Sequence, residues 1–236
     1  MTRIIQHFVP HFEERHQKVQ ALILHCSAHT PEEMLKVLDE KKLSAHYIIG
    51  ENGEIWQTVS EKNKAWHAGI SHWREIDGLN DYSIGIELSS PAMGQKEYTK
   101  KQIDSAVGLC RTIISHYQIP ACNVVGHSDI APTRRPDPGK AFPWQYFASK
   151  GIGLWYDIND AEKISINEVE ELLRIIGYDT TNLNAAAYAF CRHFVADSVA
   201  ENSDIEQLMT EIYPKDFEFP HVYLPVLKAC AYRYRR

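Results

Sequence analysis

The stretch Ala21-Leu22-Ile23-Leu24-His25 is a short run of apolar residues that ends at a histidine. A continuous apolar run of this length predicts a buried strand. Thr30-Pro31-Glu32-Glu33 follows and predicts the start of a helix. Its threonine is a suitable N-cap, its proline stands at the first helical position, and a glutamate lies three residues after the cap. We expect this helix to continue to about Lys42.

The next segment predicts a hairpin and a further strand. His46-Tyr47-Ile48-Ile49 and Glu54-Ile55-Trp56-Gln57 are rich in β-forming residues, and Glu51-Asn52-Gly53 lies between them. Asn-Gly is a strong turn signal when apolar strands flank it. The stretch from Tyr82 to Leu88 is again apolar enough to predict a strand.

A second helix and another strand follow. Thr99-Lys100-Lys101-Gln102 has the pattern of a capping box and begins a long amphipathic stretch that Pro120 should end. Cys122-Asn123-Val124-Val125-Gly126 then predicts a strand that leads into His127. Strands and helices are thus mixed, with short connections. This order predicts an α/β domain with a central β-sheet flanked by helices.

The last third of the chain carries only helix signals. Residues 130–143 are rich in proline and arginine and predict an irregular loop, and a boundary is expected at 157–160. Beyond it, three helices are predicted: one begins at the capping box Ser165-Ile166-Asn167-Glu168 and ends at Gly177, and two more occupy 184–195 and 204–212. We therefore expect a catalytic domain at 1–156 and a small three-helix domain at 160–236.

Composition and charge exclude several classes of protein. The 236 residues have a formal net charge of -6, which disfavours nucleic acid and anionic membranes as partners. No apolar run reaches the length of a membrane span, and the first residues lack the apolar stretch of a signal peptide. These features predict a cytoplasmic monomer, with export to the periplasm by another route as the alternative. The five cysteines form no C-x-x-C pair, which excludes a zinc ribbon and a thioredoxin motif.

Two histidines and one aspartate are candidates for a metal site. His25 and His127 each stand at the end of a predicted strand, and Asp137 follows in the proline-rich loop. Two histidines and a carboxylate are a common ligand set of catalytic zinc, which keeps a fourth position for water. Each residue alone also fits a structural role, so spacing by itself does not select this set.

Further charged residues could complete a hydrolytic site. Glu87 lies near the end of the predicted strand 82–88 and could take a proton from water, although a surface position on that strand is equally consistent. Arg134 and Arg135 stand close to Asp137 in the sequence and could stabilise an oxyanion.

Five motifs in order decide between these alternatives. The chain resembles zinc-dependent N-acetylmuramoyl-L-alanine amidases of the AmpD and AmiD type, which are related to phage amidases and peptidoglycan recognition proteins. The resemblance covers about residues 18–150 and rests on His25-Cys26-Ser27, Ser44-Ala45-His46-Tyr47, Ala65-Trp66-His67-Ala68-Gly69, Asn80 to Leu88, and Gly126 to Pro132 continued by Asp137-Pro138-Gly139.

The resemblance implies a role for particular residues. The family's zinc ligands fall on His25, His127 and Asp137, its catalytic glutamate falls on Glu87, and its usual lysine falls on Arg135. The arginine is a departure from the family pattern. It keeps a positive charge that can stabilise an oxyanion, but a guanidinium is effectively never deprotonated and is a poor proton donor.

The substrate-binding residues are predicted from the same motifs. His46 and His67 match positions that line or buttress the family's site, with a supporting role favoured for His46. Trp66, Trp73 and Arg74 could form a platform for sugar or peptide. Packing within an exposed loop is the alternative for Trp73.

The activity implied by the resemblance is hydrolysis of the amide between N-acetylmuramic acid, or its anhydro form, and L-alanine of the stem peptide. One zinc ion per chain and a peptidoglycan or muropeptide substrate are expected with it. The C-terminal motifs Gly177-Tyr178-Asp179 and 189–194 resemble, more weakly, a peptidoglycan-binding domain, and a helical packing extension is the alternative. The other functional class is a non-catalytic peptidoglycan receptor, which often lacks a ligand that this chain retains.

Overall fold

The computed structural model describes residues 4–200 and 202–235. The strands within them are β1 (Ile4–Gln6), β2 (Phe12–Glu14), β3 (Ala21–Ser27), β4 (Tyr47–Ile49), β5 (Ile55–Gln57), β6 (Asn63–Ala65), β7 (His72–Trp73), β8 (Ile76–Asp77), β9 (Ser83–Ser89) and β10 (Val124–Gly126). The α-helices are α1 (Pro31–Glu40), α2 (Lys100–Tyr117), α3 (His127–Ile130), α4 (Trp144–Ser149), α5 (Val169–Ile176), α6 (Leu183–Phe194), α7 (Ile205–Thr210) and α8 (Leu224–Tyr234).

Six strands form one mixed sheet in the order β1-β5-β4-β9-β3-β10. Strands β4, β9, β3 and β10 are parallel to one another, whereas β5 runs antiparallel to β4 and carries β1 at its far side. The remaining strands form two small antiparallel pairs, β2 with β6 and β7 with β8. This confirms the predicted central sheet, and its parallel half brings the carboxyl ends of β3, β9 and β10 to one edge.

Strand β3 is apolar from Ala21 to Leu24 because helices cover both faces of the sheet. Leu22 and Leu24 belong to a core that includes the buried face of α2, while Ala21 and Ile23 belong to a second core that includes α5, α6 and α8. Alternate residues of a strand point to opposite faces, so each core receives every second side chain. The apolar run is therefore required by burial on two sides.

The first two predicted helix starts are observed, with one difference. At α1 the capping box is complete, because the Thr30 side chain accepts from the Glu33 N–H and the Glu33 carboxylate accepts from the Thr30 N–H. At α2 the Thr99 hydroxyl accepts from the Gln102 N–H, but the Gln102 side chain donates to backbone carbonyls of β4 and β9 instead of returning to the cap. Gln102 thus ties the helix to the sheet.

The third predicted helix start is wrong. Helix α5 begins at Val169 with Glu168 as its N-cap, and that cap makes no side-chain hydrogen bond. Residues 164–168 are outside any helix, with Ile164 and Ile166 packed into the core and Ser165 exposed between them. This alternation of buried and exposed residues keeps the segment extended and moves the helix start by four residues or so.

The C-terminal helices have one member more than the sequence predicts. Helices α5, α6 and α7 match the three expected, and Gly177 ends α5 with a φ of 134° as predicted. Helix α8 was not predicted, and its buried side chains complete the core beneath α5. We refer to residues 160–235, without residue 201, as the helical segment.

The helical segment shares a core with the sheet. Leu173 of α5 and Phe190 of α6 lie in the same buried cluster as Ile23 of β3 and Val125 of β10. No helix within the described ranges 4–200 and 202–235 is long and apolar enough to cross a membrane. Whether 1–156 and 160–236 act as two domains stays a prediction, because this packing gives them a common core.

Substitution of a buried residue in the helical segment tests whether this segment and the sheet share one core. Leu173→Ala removes a fully buried side chain and is expected to lower the free energy of unfolding by about 2–5 kcal/mol. Because the core is common, calorimetry should show one transition at a lower temperature. Leu183→Ala, at a position 37% exposed in the same segment, is the control and should change little. Two transitions, of which only one moves, would contradict a shared core.

Candidate metal centre and active site

Three ligand atoms converge at the carboxyl edge of the parallel strands. His25 lies near the end of β3, His127 follows β10 directly as the first residue of α3, and Asp137 lies in the loop after α3. The Nδ1 atoms of the two histidines are 2.9 Å apart, and Asp137 Oδ2 lies 3.1 Å from His127 Nδ1 and 3.3 Å from His25 Nδ1. All three residues are buried, and together they could hold a metal ion.

The loop that carries Asp137 is tied to the turn that carries His127. The Ser128 N–H donates to the Asp137 carbonyl over 2.8 Å, so the backbone at the two ligands is joined directly. This bond explains how Asp137, ten positions after His127 in an irregular loop, comes to lie beside it at the end of β10.

Hydrogen bonds behind His25 select the tautomer that a metal requires. The Ser83 hydroxyl donates to the Leu79 carbonyl, so its oxygen can accept from His67 Nε2, 3.3 Å away. His67 Nδ1 is then unprotonated and accepts from His25 Nε2–H over 3.0 Å. The Nδ1 of His25 is left with a free lone pair that faces the other two ligand atoms. Such partners behind a ligand fix its orientation and its basicity.

His127 is held by a backbone carbonyl in the same way. Its Nε2 lies 3.2 Å from the Ala68 carbonyl oxygen, which can only accept, so Nε2 carries the proton and Nδ1 is free. Arg134 donates to the same carbonyl and to that of Ile70, so its guanidinium is engaged with the loop 68–70.

Burial and neighbouring charges set the protonation of the cluster. Burial, with the charge of His127, lowers the pKa of His25 to about 4, so its imidazole is neutral near pH 7. Burial and the surrounding histidines also hold the pKa of His67 well below its ordinary value. Burial alone would raise the pKa of Asp137, but the adjacent His127 and His25 outweigh it and lower that pKa. The groups are thus in the forms that bind a cation.

His46 lies beneath the site and does not line the cavity. It is fully buried, its Nδ1 accepts from the Gly85 N–H over 3.0 Å, and its Nε2 donates to the Asn63 carbonyl over 3.1 Å. Position 85 requires a glycine, because a Cβ there would lie 2.5 Å from the His67 ring. The structure therefore gives His46 a supporting position beneath the site, away from the cavity surface.

Arg15 is a supporting residue that the sequence analysis missed. Its guanidinium donates to the carbonyls of Asp81 and Ser83, and so binds the loop before β9 and the first residue of that strand. It also donates to the carbonyl of Asn63, which accepts from His46. Arg15 precedes the first of the five family motifs, so no sequence pattern indicated its role.

Glu87 stands beside the ligands on the neighbouring strand. It pairs with His25 in the parallel register of β9 and β3, so both side chains leave the same face of the sheet. The residue is half-buried, and its Oε2 is buried without a hydrogen-bond partner among the described residues. Burial, together with the charge of Asp137, raises the pKa of Glu87 to about 8, while the charge of Arg135 lowers it. A carboxyl group in this setting can exchange a proton near neutral pH.

The two adjacent arginines have different surroundings. Arg134 is held by the carbonyls of Ala68 and Ile70, whereas no residue in the described part of the chain is hydrogen bonded to the Arg135 side chain. Both line the cavity in front of the ligands. Of these two arginines, Arg135 is therefore the one whose guanidinium is free to meet a group bound there.

The cavity in front of the ligands has a volume of about 340 Å³. Its polar floor includes Glu87, His127 and Asp137. Trp66 and His67 form part of one wall, and apolar side chains from α1 form another. Ile205 and Met209 of α7 also line it, so the helical segment contributes to the cavity.

Two predicted platform residues lie elsewhere. Arg74 donates to the carbonyls of Ile176 and Tyr234 in the helical segment and does not line the cavity. Trp73 is 1% exposed and donates from Nε1 to the Cys122 carbonyl, so it is neither a platform nor exposed loop packing. Both residues join the catalytic part of the chain to its C-terminal helices, a contact that no local pattern signals.

Comparisons with known proteins agree with this geometry. The family model for N-acetylmuramoyl-L-alanine amidase matches residues 15–140. The N-acetylmuramoyl-L-alanine amidase AmiD of Escherichia coli K12 is 35% identical, over 84% of this chain and 85% of that protein. The 1,6-anhydro-N-acetylmuramyl-L-alanine amidase AmpD of Enterobacter cloacae is 44% identical, over 44% of this chain and 55% of that protein.

A solved structure extends the similarity to the whole fold. The complex of E. coli AmiD with the substrate anhydro-N-acetylmuramic acid-L-Ala-D-γ-Glu-L-Lys superposes with a TM-score of 0.75 at 29% identity, and covers 94% of this chain and 93% of that one. The match therefore includes the helical segment as well as the sheet. With the family model spanning more than half of the sequence, this chain belongs to the N-acetylmuramoyl-L-alanine amidase family.

Proposed function

We propose that this protein hydrolyses the amide bond between N-acetylmuramic or anhydro-N-acetylmuramic acid and L-alanine, in peptidoglycan or its fragments. The observation that carries the proposal is the convergence of three ligand atoms within 3.3 Å of one another beside a half-buried glutamate in an open cavity. The amidase family and the muropeptide bound in the E. coli AmiD structure support this substrate class.

The donor set fits one zinc ion per chain. Ligands of tetrahedral zinc lie about 3.3 Å apart, given Zn–N and Zn–O bonds of about 2.0–2.1 Å, and His25, His127 and Asp137 offer their atoms at similar separations. Both imidazoles present an unprotonated Nδ1. A zinc ion held by these residues would supply Lewis-acid chemistry, polarising the scissile carbonyl and lowering the pKa of water to about 7.

The protein's own groups would handle the proton and the developing charge. Glu87, which lines the cavity beside His25, would accept a proton from the attacking water and return it to the leaving amine nitrogen. Arg135 would stabilise the negative charge on the carbonyl oxygen, since its guanidinium faces the cavity and Arg134 is held by the loop. In this assignment the arginine acts through its charge, and proton donation to the amine belongs to Glu87.

Substrate contacts are proposed for two groups of side chains. Trp66 offers a ring at the cavity wall, on which the apolar face of a sugar or peptide group can pack. His67 lines the cavity, but both of its nitrogens are engaged with His25 and Ser83, so its first role is to orient a ligand. Ile205 and Met209 supply an apolar surface for methyl groups of the substrate.

A catalytically inactive peptidoglycan receptor is the second candidate. Such a protein needs the cavity but has no use for a converging ligand set or for a glutamate whose pKa is raised to about 8. The retained residues therefore favour the enzyme. A third candidate, a zinc peptidase that cuts within the stem peptide, would share the chemistry, and mass spectrometry of muropeptide digests separates it because only an amidase releases the intact stem peptide.

Replacing the proposed base separates binding from turnover. Glu87→Ala should retain zinc, because the ligands are unchanged, and should lose at least about 100-fold in kcat on a defined anhydromuropeptide. The control is Glu54→Ala, a half-buried glutamate of the β4–β5 hairpin that also has a buried unpaired oxygen but lies outside the cavity. Normal turnover by Glu87→Ala would show that the base is assigned wrongly.

A second test removes the metal and, separately, replaces His67, the histidine that orients the ligand His25. Purified protein should contain one zinc per chain, and a chelator should abolish amide cleavage until zinc is returned. His67→Ala should weaken zinc affinity about 10–100-fold, since His25 loses the partner that fixes its tautomer. His72→Ala changes a histidine outside the cavity and should leave affinity unchanged. A protein that cleaves muropeptides equally well without metal would refute the zinc mechanism.

The apolar wall from α7 predicts an effect on substrate affinity. Met209→Ala should raise KM several-fold and leave kcat nearly unchanged, because the side chain lies in the cavity and away from the ligands. Glu206→Ala on the exposed face of the same helix is the control. Equal KM values for all three proteins would show that the substrate does not reach this wall.

A further inference from the structure

A buried carboxylate outside the proposed ligand set lies two residues after His127. Asp129 is fully buried and accepts three hydrogen bonds, from the Gly126 N–H at 2.7 Å, the Tyr178 hydroxyl at 2.7 Å and His193 Nδ1 at 2.8 Å. A carboxylate oxygen can only accept, so His193 Nδ1 carries the proton. All three donors belong to the protein itself.

The bond to Gly126 closes the turn that presents His127. Asp129 Oδ2 accepts from the residue just before helix α3, whose first residue is His127, so the four residues 126–129 form one capped unit. The adjacent Ser128 N–H holds the Asp137 carbonyl. The orientation of this short helix therefore determines where two of the three ligand atoms lie.

The other two donors come from the far end of the chain. Tyr178 follows α5 and His193 lies in α6, so both belong to the helical segment. The His193 ring is stacked between Trp144, with centroids 3.9 Å apart at 15°, and Phe194, with centroids 4.1 Å apart at 14°. Tyr178 is 2% exposed and packs edge-on against Trp73. The packing of these rings restricts the rotation of the Tyr178 and His193 side chains, which donate to Asp129.

If the hydrogen bond from Tyr178 or from His193 is removed, the Asp129 carboxylate should shift. A buried charged group that loses a hydrogen-bond donor is costly, so it moves toward its remaining donors or toward water. Movement of Asp129 would pull on the Gly126 N–H and hence on the turn. The small separations among the ligand atoms leave little tolerance for such a shift.

We propose that Tyr178 and His193 are positioning residues for the metal centre, and act through Asp129 on His127. The inference rests on the proposed metal site and deepens it. It assigns the helical segment a role in the catalytic centre that does not depend on its binding any wall component. His67 and Ser83 orient His25 from one side, and the Asp129 cluster orients His127 from the other.

Zinc affinity in the intact chain is the test, measured by competition with a metallochromic chelator well below the melting temperature. Tyr178→Phe removes one hydroxyl, and His193→Leu removes the ring donor; each should weaken zinc affinity about tenfold or more. His193→Asn keeps an N–H near the Nδ1 position and should restore most of the affinity. At saturating zinc, kcat of Tyr178→Phe should return toward that of the unchanged protein.

The matched control is Tyr234→Phe. Tyr234 is 1% exposed, lies in α8 of the same segment and packs against Trp73 and Phe194, but makes no hydrogen bond to Asp129. It should leave zinc affinity unchanged, and its melting temperature shows how stability responds to loss of a buried tyrosine hydroxyl that does not bind Asp129. Calorimetry of all variants separates loss of stability from loss of metal.

The outcomes are distinct. If the unchanged protein binds zinc and Tyr178→Phe and His193→Leu bind it equally well, the positioning role is refuted and the amidase proposal stands. If affinity falls equally in Tyr234→Phe, the effect is general loosening of the fold and the inference also fails. If the unchanged protein binds no zinc, the proposed function itself is wrong.

Discussion

The structure depends on one strand that is buried on both faces and ends in a polar group. Helix α2 covers one face of β3 and the C-terminal helices cover the other, so the strand must be apolar until it reaches His25 at the sheet edge. In parallel strands the carboxyl ends meet at the same edge, which brings Glu87 beside His25 and His127 one strand away. The sheet fixes the positions of His25 and Glu87, and the turn that follows β10 fixes that of His127.

Most of the fold follows from signals that act over a few residues. The apolar run of β3, the Asn-Gly hairpin and the threonine caps of α1 and α2 each depend on neighbours within one turn, and each could be predicted. The start of α5 could not, because burial of Ile164 and Ile166 overrides a local capping pattern. Helix α8 was missed for a similar reason, since its stability comes from the core it completes.

The site residues divide in the same way, into those with a local sequence signal and those positioned by packing. His25, His127, Asp137 and Glu87 stand at strand ends or in a motif, and an ordered set of motifs was enough to select them. The hydrogen bonds that fix the tautomers could not be predicted, because Ser83, His67 and Ala68 meet the ligands only through the packing of separate loops. Arg74 was predicted to contact substrate because arginine pairs with carboxylates, but its partners are carbonyls of the helical segment.

Among the contacts between the helical segment and the catalytic part of the chain, three differ in their chemistry. Arg74 binds carbonyls of that segment, Tyr178 and His193 hold Asp129, and α7 reaches the cavity wall. A module that only tethers an enzyme to a surface needs none of these contacts, since a flexible linker would serve it better. Contacts that are buried, charged and close to the ligands restrict motion between the two parts. On the proposed metal site, the helical segment therefore helps to position the ligands, and any wall binding would use the faces that these contacts leave open.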